Sequence, residues 1–258
     1  MTDRAASATA LGVATLRAAH QLLDGDQRIL DDPVVLRLLG PEVIARVQAN
    51  PERFAEPNVR RLLTHVVTRS RCAEDRLAEA VARGVHQCVV LGAGFDTFAY
   101  RQPPWASALR IFEVDHPASQ QAKVARLSAA GIAIPPNVEY VAIDFETTSL
   151  RDGMLRSRFD ASAPAFISWL GVMVYLTQSA IDAVFAFVAS LPPSSEIVFT
   201  FTPPPEADAP DGLASRAAEI GEPWLTRVEP ESLERQLRSH GFGTVQFLTS
   251  RVVSAIIQ

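Results

Sequence analysis

Apolar positions change their period near residue 85. Before it they recur at helical spacing. Leu11, Ala14, Leu16, Ala18, Ala19, Leu22 and Leu23 predict a helix over Leu11–Leu23. Asp31-Asp32-Pro33 offers a helix start, with Asp32 as N-cap and Pro33 in the first turn of a short helix over Val34–Leu39 that Gly40 and Pro41 end. Val59–Arg83 reads as one long helix closed by Gly84. Beyond residue 85, short apolar runs at Gln87–Leu91, Leu109–Asp115, Asn137–Ile143, Ala165–Leu170 and Glu196–Phe201 predict buried strands. Helical patterns at Ala118–Ala130 and Gln178–Leu191 fall between them, so an α/β fold with a parallel sheet covered on both faces is expected. Pro230–His240 reads as a further helix, and the closely spaced runs Thr244–Leu248 and Arg251–Ile257 as an antiparallel hairpin. The chain is thus expected to divide into a helical part, residues 1–84, and an α/β domain, residues 85–258. The Pro-rich stretch after Phe201 is expected to be a loop beside the site.

Composition narrows the classes. The chain has 258 residues, 48% of them apolar, enough for a sizeable core. The net charge is −5 and the basic residues are scattered, which argues against a nucleic-acid partner. The predicted helix Val59–Arg83 carries Arg60, Arg61, Arg69, Arg71, Arg76 and Arg83, but Glu74, Asp75 and Glu79 lie among them, so it reads as a solvated face. Cys72 and Cys88 occupy different settings, Cys88 within an apolar run. They form no disulfide framework and suit a reducing, cytoplasmic location. Met1-Thr2-Asp3-Arg4-Ala5-Ala6-Ser7 lacks a continuous apolar stretch, so no secretory signal is expected. No run is long enough to span a bilayer, so no membrane partner is expected either. The five histidines show no ligand spacing, and no metal is expected.

The candidate chemistry lies at the strand ends. The first strand runs into Gly92-Ala93-Gly94, which reads either as a tight turn or as a backbone that passes close to a ligand, with the next helix offering free N–H groups. A dinucleotide fingerprint would place a third glycine at position 97; Thr97 stands there, which disfavours a pyrophosphate ligand and a nicotinamide oxidoreductase. A nucleoside ligand without phosphates remains open. Asp115, at the tip of the second strand, can accept hydrogen bonds from both ribose hydroxyls. Glu113 on the same strand face is either a ligand or a buried, paired carboxylate. Asp144 ends the third strand, as an acceptor for an adenine amino group with Phe145 flanking the ring, or as a cap of the next turn. Gly171 after the fourth strand allows close approach, and Val172–Leu176 places Tyr175 near the site or belongs to the core. His116 is a candidate general base or a loop histidine.

Val89-Val90-Leu91-Gly92-Ala93-Gly94-Phe95-Asp96-Thr97, Tyr100-Arg101 and Phe112-Glu113-Val114-Asp115-His116-Pro117 together resemble the leucine carboxyl methyltransferase family, and more closely its bacterial branch of S-adenosylmethionine-dependent methyltransferases. Asp31-Asp32-Pro33 with Leu38-Leu39-Gly40, Arg69-Ser70-Arg71, Gly221-Glu222-Pro223-Trp224 and Gly241-Phe242 extend the likeness over nearly the whole chain. The resemblance implies a class I methyltransferase (Rossmann-like) fold, with a seven-stranded, mostly parallel sheet, a C-terminal antiparallel hairpin and an N-terminal helical cap. It implies S-adenosylmethionine as cofactor: Arg69 for the methionine carboxylate, Gly92 and Gly94 along the cofactor, Asp115 for the ribose, Asp144 and Phe145 for the adenine. Arg17 matches, more loosely, a basic residue near the methionine end. One departure stands out, because many relatives have Glu where this chain has Leu170.

A methyl group on a sulfonium is already electrophilic, so the protein's main task is alignment. A carboxylate acceptor needs no base, whereas a hydroxyl does. The absence of an obvious base favours a carboxylate or acidic hydroxyl. The expected activity is O-methylation of a small-molecule acceptor, with His116 and Tyr175 as candidate catalytic residues. A protein carboxyl methyltransferase and a non-catalytic S-adenosylmethionine-binding protein are the alternatives. The cap, the Pro203–Pro205 loop and the Trp224 region are expected to enclose the acceptor. Oligomeric state is not legible.

Overall fold

The computed structural model describes residues 8–144, 148–205 and 212–258. Its helical part comprises α1 (Ala8–Leu23), α2 (Pro33–Leu39), α3 (Pro41–Ala49), α4 (Pro51–Ala55) and α5 (Pro57–Ala82). Then follow β1 (Gln87–Leu91), β2 (Arg110–Asp115), α6 (Pro117–Ala129), β3 (Val138–Ala142), α7 (Leu150–Leu155), β4 (Phe166–Trp169), α8 (Gln178–Ala189), β5 (Glu196–Thr200), α9 (Gly212–Glu219), α10 (Pro230–Ser239), β6 (Phe242–Thr249) and β7 (Val252–Ile257). The predicted strands are all present within a residue or two of their expected ends.

Four short helices were not anticipated from the pattern: α3, α4, α7 and α9. Proline explains two of them. Pro41 reads as a break, but it and Pro51 each occupy the first turn of a helix, as do Pro33, Pro57, Pro117 and Pro230. There the missing N–H costs nothing and the fixed φ is already helical. Asp32 caps α2 as expected, its carboxylate accepting from Val35 N–H at 3.1 Å.

Among the described residues the strands form one seven-stranded sheet in the order β3-β2-β1-β4-β5-β7-β6. The first five pair in parallel, while β7 pairs antiparallel with both β5 and β6. This is the class I methyltransferase arrangement, and the hairpin lies where it was expected. From β1 the chain builds outward to β2 and β3, then returns to place β4 on the other flank of β1. The connections diverge at that point, which is where open parallel sheets leave a crevice at their carboxyl ends.

Alternation along each strand supplies two cores. Val89, Leu91, Phe112, Ile167, Trp169 and Phe199 face a cluster with Met154 of α7, Phe185 of α8 and Leu237 of α10. Val90, Ile111, Phe166 and Val198 face the other way, onto Ala73, Leu77 and Ala80 of α5. The long helix therefore belongs to the sheet as much as to the helical part. Its polar contacts reinforce this. Glu196 of β5, wholly buried, accepts from Arg76 Nε at 2.7 Å, Arg83 Nη2 at 2.6 Å and Ser254 Oγ of β7 at 2.6 Å. Arg71 pairs with Asp75 at 2.6 Å on an exposed face, as expected of a solvated helix face, but Arg76 and Arg83 turn to the sheet instead. Cys88 is buried, and burial pushes its thiol up.

Replacing Glu196 with Ala should lower stability by about 2 kcal/mol, the range for removing hydrogen bonds to a charged group, because both arginines keep access to solvent. Urea unfolding of the variant against the parent measures this; an unchanged midpoint would show that the α5–sheet contact is held by packing alone.

Candidate functional site

The carboxyl ends of β1 to β4 open into a cavity of about 960 Å³, roofed by the start of α1 and by residues 220–225. The turn after β1 shapes its floor. Gly92 N–H and Ala93 N–H both donate to Val114 O of β2, at 2.8 and 3.1 Å. Gly92 has φ +65°, and a Cβ there would collide with Val172 Cγ2; Gly94 has φ +43°, and its Cβ would sit 3.2 Å from Ala10 Cβ of α1. Their positive φ favours glycine at both positions, and Val172 leaves no room for a side chain at the first. The roof lies directly on the turn.

Asp115 lines the cavity at the tip of β2 and also organises the turn. Its Oδ2 accepts from Gly94 N–H at 2.6 Å and its Oδ1 from His116 N–H at 2.7 Å. Asp144 lines it at the end of β3. Phe145 lies outside the described residues. His116 reaches the cavity, but its Nδ1 accepts from Ala118 N–H at 3.2 Å and caps α6. Tyr175 lines the wall from the turn after β4. Glu113 takes the buried, paired alternative: its carboxylate lies 2.7 Å from Lys123 Nζ and accepts from Tyr100 Oη at 2.9 Å, with no part in the cavity lining.

Arg69 enters the cavity from α5 on the β4 side. An ideal Cβ on Gly171, whose φ is +74°, would lie 2.7 Å from Arg69 Nη2 and 2.8 Å from Nη1. The close approach that Gly171 allows is therefore that of the guanidinium. Among the described residues no carboxylate pairs with Arg69. Burial pulls the group down to about 10, and the charge of Arg17 adds to this. Arg17, by contrast, has partners: its Nε is 3.0 Å from Asp32 Oδ2, and its Nη2 donates to Phe95 O at 2.6 Å.

Three lining contributions were not singled out from the pattern. Asp96 follows the glycine turn. The first residues of α1, Ala8 to Val13, line the roof. Glu222 joins the roof's two halves, accepting from Ala8 N–H at 3.0 Å and Thr9 N–H at 3.3 Å. Gly221, Pro223 and Leu225 line the cavity, whereas Trp224 and Pro203–Pro205 are not among its lining residues. Of the three segments expected to enclose the acceptor, the cap and the residues flanking Trp224 line this cavity, whereas Pro203–Pro205 are not among the described residues that do.

The sequence profile described as leucine carboxyl methyltransferase matches residues 10–189. The chain belongs to that family. YktD of Bacillus subtilis, a family relative named as an S-adenosyl-L-methionine-dependent methyltransferase, is 34% identical over 212 residues, covering 78% of this chain and 68% of its own. A Mycolicibacterium paratuberculosis relative with the same description is 34% identical over 215 residues, covering 78% of this chain and 77% of its own. Among solved structures, one from Thermobifida fusca described as a methyltransferase superposes with a TM-score of 0.59 at 19% identity, over 95% of this chain and 94% of that one. An O-methyltransferase family protein from Burkholderia thailandensis superposes at 0.50 and 14% identity, and this chain spans 62% of its length. These structural likenesses carry the fold alone. No described helix is long and apolar enough to cross a membrane.

One turn before Arg69, His65 is drawn down to about 4, first by burial and then by the charges of Arg69 and Arg251. Its folded pKa is below the unfolded value of about 6.5. The stability it contributes is therefore full above pH 6.5 and is lost as pH falls toward 4. Urea unfolding at pH 7.5 and 4.5 should show a smaller difference for His65→Gln than for the parent; equal differences would place the histidine in solvent.

Proposed function

We propose that the chain is an S-adenosylmethionine-dependent methyltransferase acting on an oxygen, carboxylate or hydroxyl, of a small-molecule acceptor. The observation that carries the reading is Arg69, a partly buried guanidinium that lines the cavity and, among the described residues, pairs with no acid. Such a cation calls for an anionic ligand group. The two strand-tip carboxylates, Asp115 and Asp144, border the same cavity. The donor set fits a ligand with a carboxylate at one end and a nucleoside at the other.

In this reading Arg69 holds the methionine carboxylate, Gly92 and Gly94 lie along the cofactor, Asp115 receives the ribose hydroxyls and Asp144 the adenine amino group, with Phe145 beside the ring. Bound S-adenosylmethionine supplies a methyl group on a positively charged sulfur. The remaining work is the protein's: to orient the acceptor oxygen and keep water away. Residues 1–84 serve as the cap over the cofactor-binding domain, residues 85–258. Val13, Val172, Leu176, Ile220, Pro223 and Leu225 give the cavity an apolar wall that suits an acceptor with an apolar body. A carboxylate acceptor reacts without losing a proton. For a hydroxyl, the Nε2 of His116 and the Oη of Tyr175 are the candidate atoms to receive one, beside the carboxylates that line the same cavity.

Calorimetry tests the cofactor assignments. Arg69→Ala should weaken S-adenosylmethionine binding about ten-fold or more, the loss expected for a charge-assisted hydrogen bond, and Asp115→Asn should also weaken it. An unchanged dissociation constant removes the residue from the site. Methyl-labelled cofactor incubated with small carboxylic acids and phenols, and separately with a peptide bearing a free C-terminal carboxylate, tests the acceptor. Label on the small molecules alone is expected. Label on the peptide alone makes the chain a protein carboxyl methyltransferase, and cofactor binding without any transfer makes it a non-catalytic binder.

A further inference from the structure

The charges around the cavity follow the order of the strands. Asp144 lies two residues past β3, Asp115 ends β2, Asp96 follows the turn after β1, and Arg69 lies beside Gly171 after β4. β1 is the neighbour of β4 in the sheet, so of these acids Asp96 follows the strand adjacent to the one whose end Arg69 approaches, and its charge acts on that guanidinium. β4 itself brings no acid: Leu170 packs against the apolar cluster beneath it.

The other acids on this cavity have assigned partners or a different place. Both oxygens of Asp115 accept backbone N–H groups, and Glu222 binds the start of α1. Asp144 lies two strands from β1. Arg17, which also lines the cavity, shares Asp32 with Arg101 behind the wall, and Arg101 also pairs with Glu74. Asp96 is different. Its Oδ1 accepts from Phe98 N–H at 2.9 Å, but its Oδ2 has only a long approach of 4.0 Å from Arg17 Nη1, and a quarter of the side chain is exposed to the cavity. A cation and an anion therefore face one end of the cavity without closing on each other. That arrangement suits an α-amino-acid zwitterion.

Resting on the cofactor reading above, we propose that Asp96 receives the methionine ammonium group while Arg69 receives the carboxylate, so that Asp96 supplies the negative charge that Leu170 cannot. An acid on the turn after β1 then does from one strand away what a carboxylate at the tip of β4 would do directly.

The test compares two ligands on two proteins by calorimetry: S-adenosylhomocysteine, and the same molecule lacking its α-amino group. Asp96→Asn keeps an oxygen for Phe98 N–H and removes the charge. It should lower affinity for S-adenosylhomocysteine about ten-fold or more, the range of a hydrogen bond between charged groups, while affinity for the deaminated ligand changes less than about two-fold. A loss shared equally by both ligands, or a selectivity change under about three-fold, overturns the assignment, because a merely structural role would not distinguish them. If the Asn variant does not fold, Asp96→Ser, whose hydroxyl can still accept from Phe98 N–H, carries the same comparison. Parent protein that binds neither ligand overturns the cofactor reading itself; parent binding with no Asp96 selectivity overturns this inference alone.

Discussion

Asp32 is the joint on which the cavity depends. Its carboxylate is wholly buried, yet it reaches three separate elements. It caps α2, pairs with Arg17 of α1 at 3.0 Å, and lies 3.4 Å from Arg101, which follows the glycine turn. A buried carboxylate without such partners would be strongly penalised, so the three elements are held to one geometry by the cost of separating any of them. The consequence is positional. α1 is fixed over Gly94, close enough that a single added Cβ would meet Ala10, and the roof of the cavity is thereby set by an ion pair several residues away. Glu222 closes the same roof from its other side, through the first N–H groups of α1.

The floor is constrained as tightly. Gly92 meets Val172, Gly171 meets Arg69, and Asp115 ties the turn to β2. Three positions that look like ligand contacts in the sequence are each also demanded by protein packing. Glycine in a nucleoside-binding turn is usually explained by the ligand's approach. Here the turn, the loop after β4 and the arginine from α5 interlock, so the cavity's shape follows from the fold itself. Only at Gly171 does that interlock touch charge directly, because a side chain there would displace the guanidinium that the cofactor reading requires.

The strands and their acidic tips were legible because two signals coincided: short apolar runs bounded by Gly and Pro, and carboxylates at their ends. The helices around residues 41–55 were not, because Pro41 read as a terminator, and proline at a first helical position looks the same in sequence as proline after a last one. Arg69 was placed by resemblance alone. In periodicity it is one arginine among six on a mixed-charge helix, and only the geometry shows that its neighbours find acids while it faces the cavity. Glu113 was ambiguous for a physical reason. Alternation put it on a strand near the site, but it could not reveal that Lys123 and Tyr100 would converge on it from α6 and the segment after the turn.

Leu170 is where the apolar core and the charged end of the cavity meet. It borders the cavity and also packs against Ala73, Leu77 and Phe166, a contact that a carboxylate turned to the cavity would give up. An aliphatic residue there costs no desolvation and adds buried area. The same end of the cavity still holds two guanidinium groups, Arg17 and Arg69, whose mutual repulsion contributes to drawing Arg69 down. Asp96 borders both the main cavity and the small void beneath Leu170, and its charge favours the ionised Arg69. A single carboxylate on the turn can therefore balance the arginines when no ligand is present and face a ligand's ammonium when one is. Under the proposed reading, the apolar tip of β4 and the acid after β1 are two parts of one arrangement: moving the negative charge by one strand lets the sheet keep an uninterrupted core under the site.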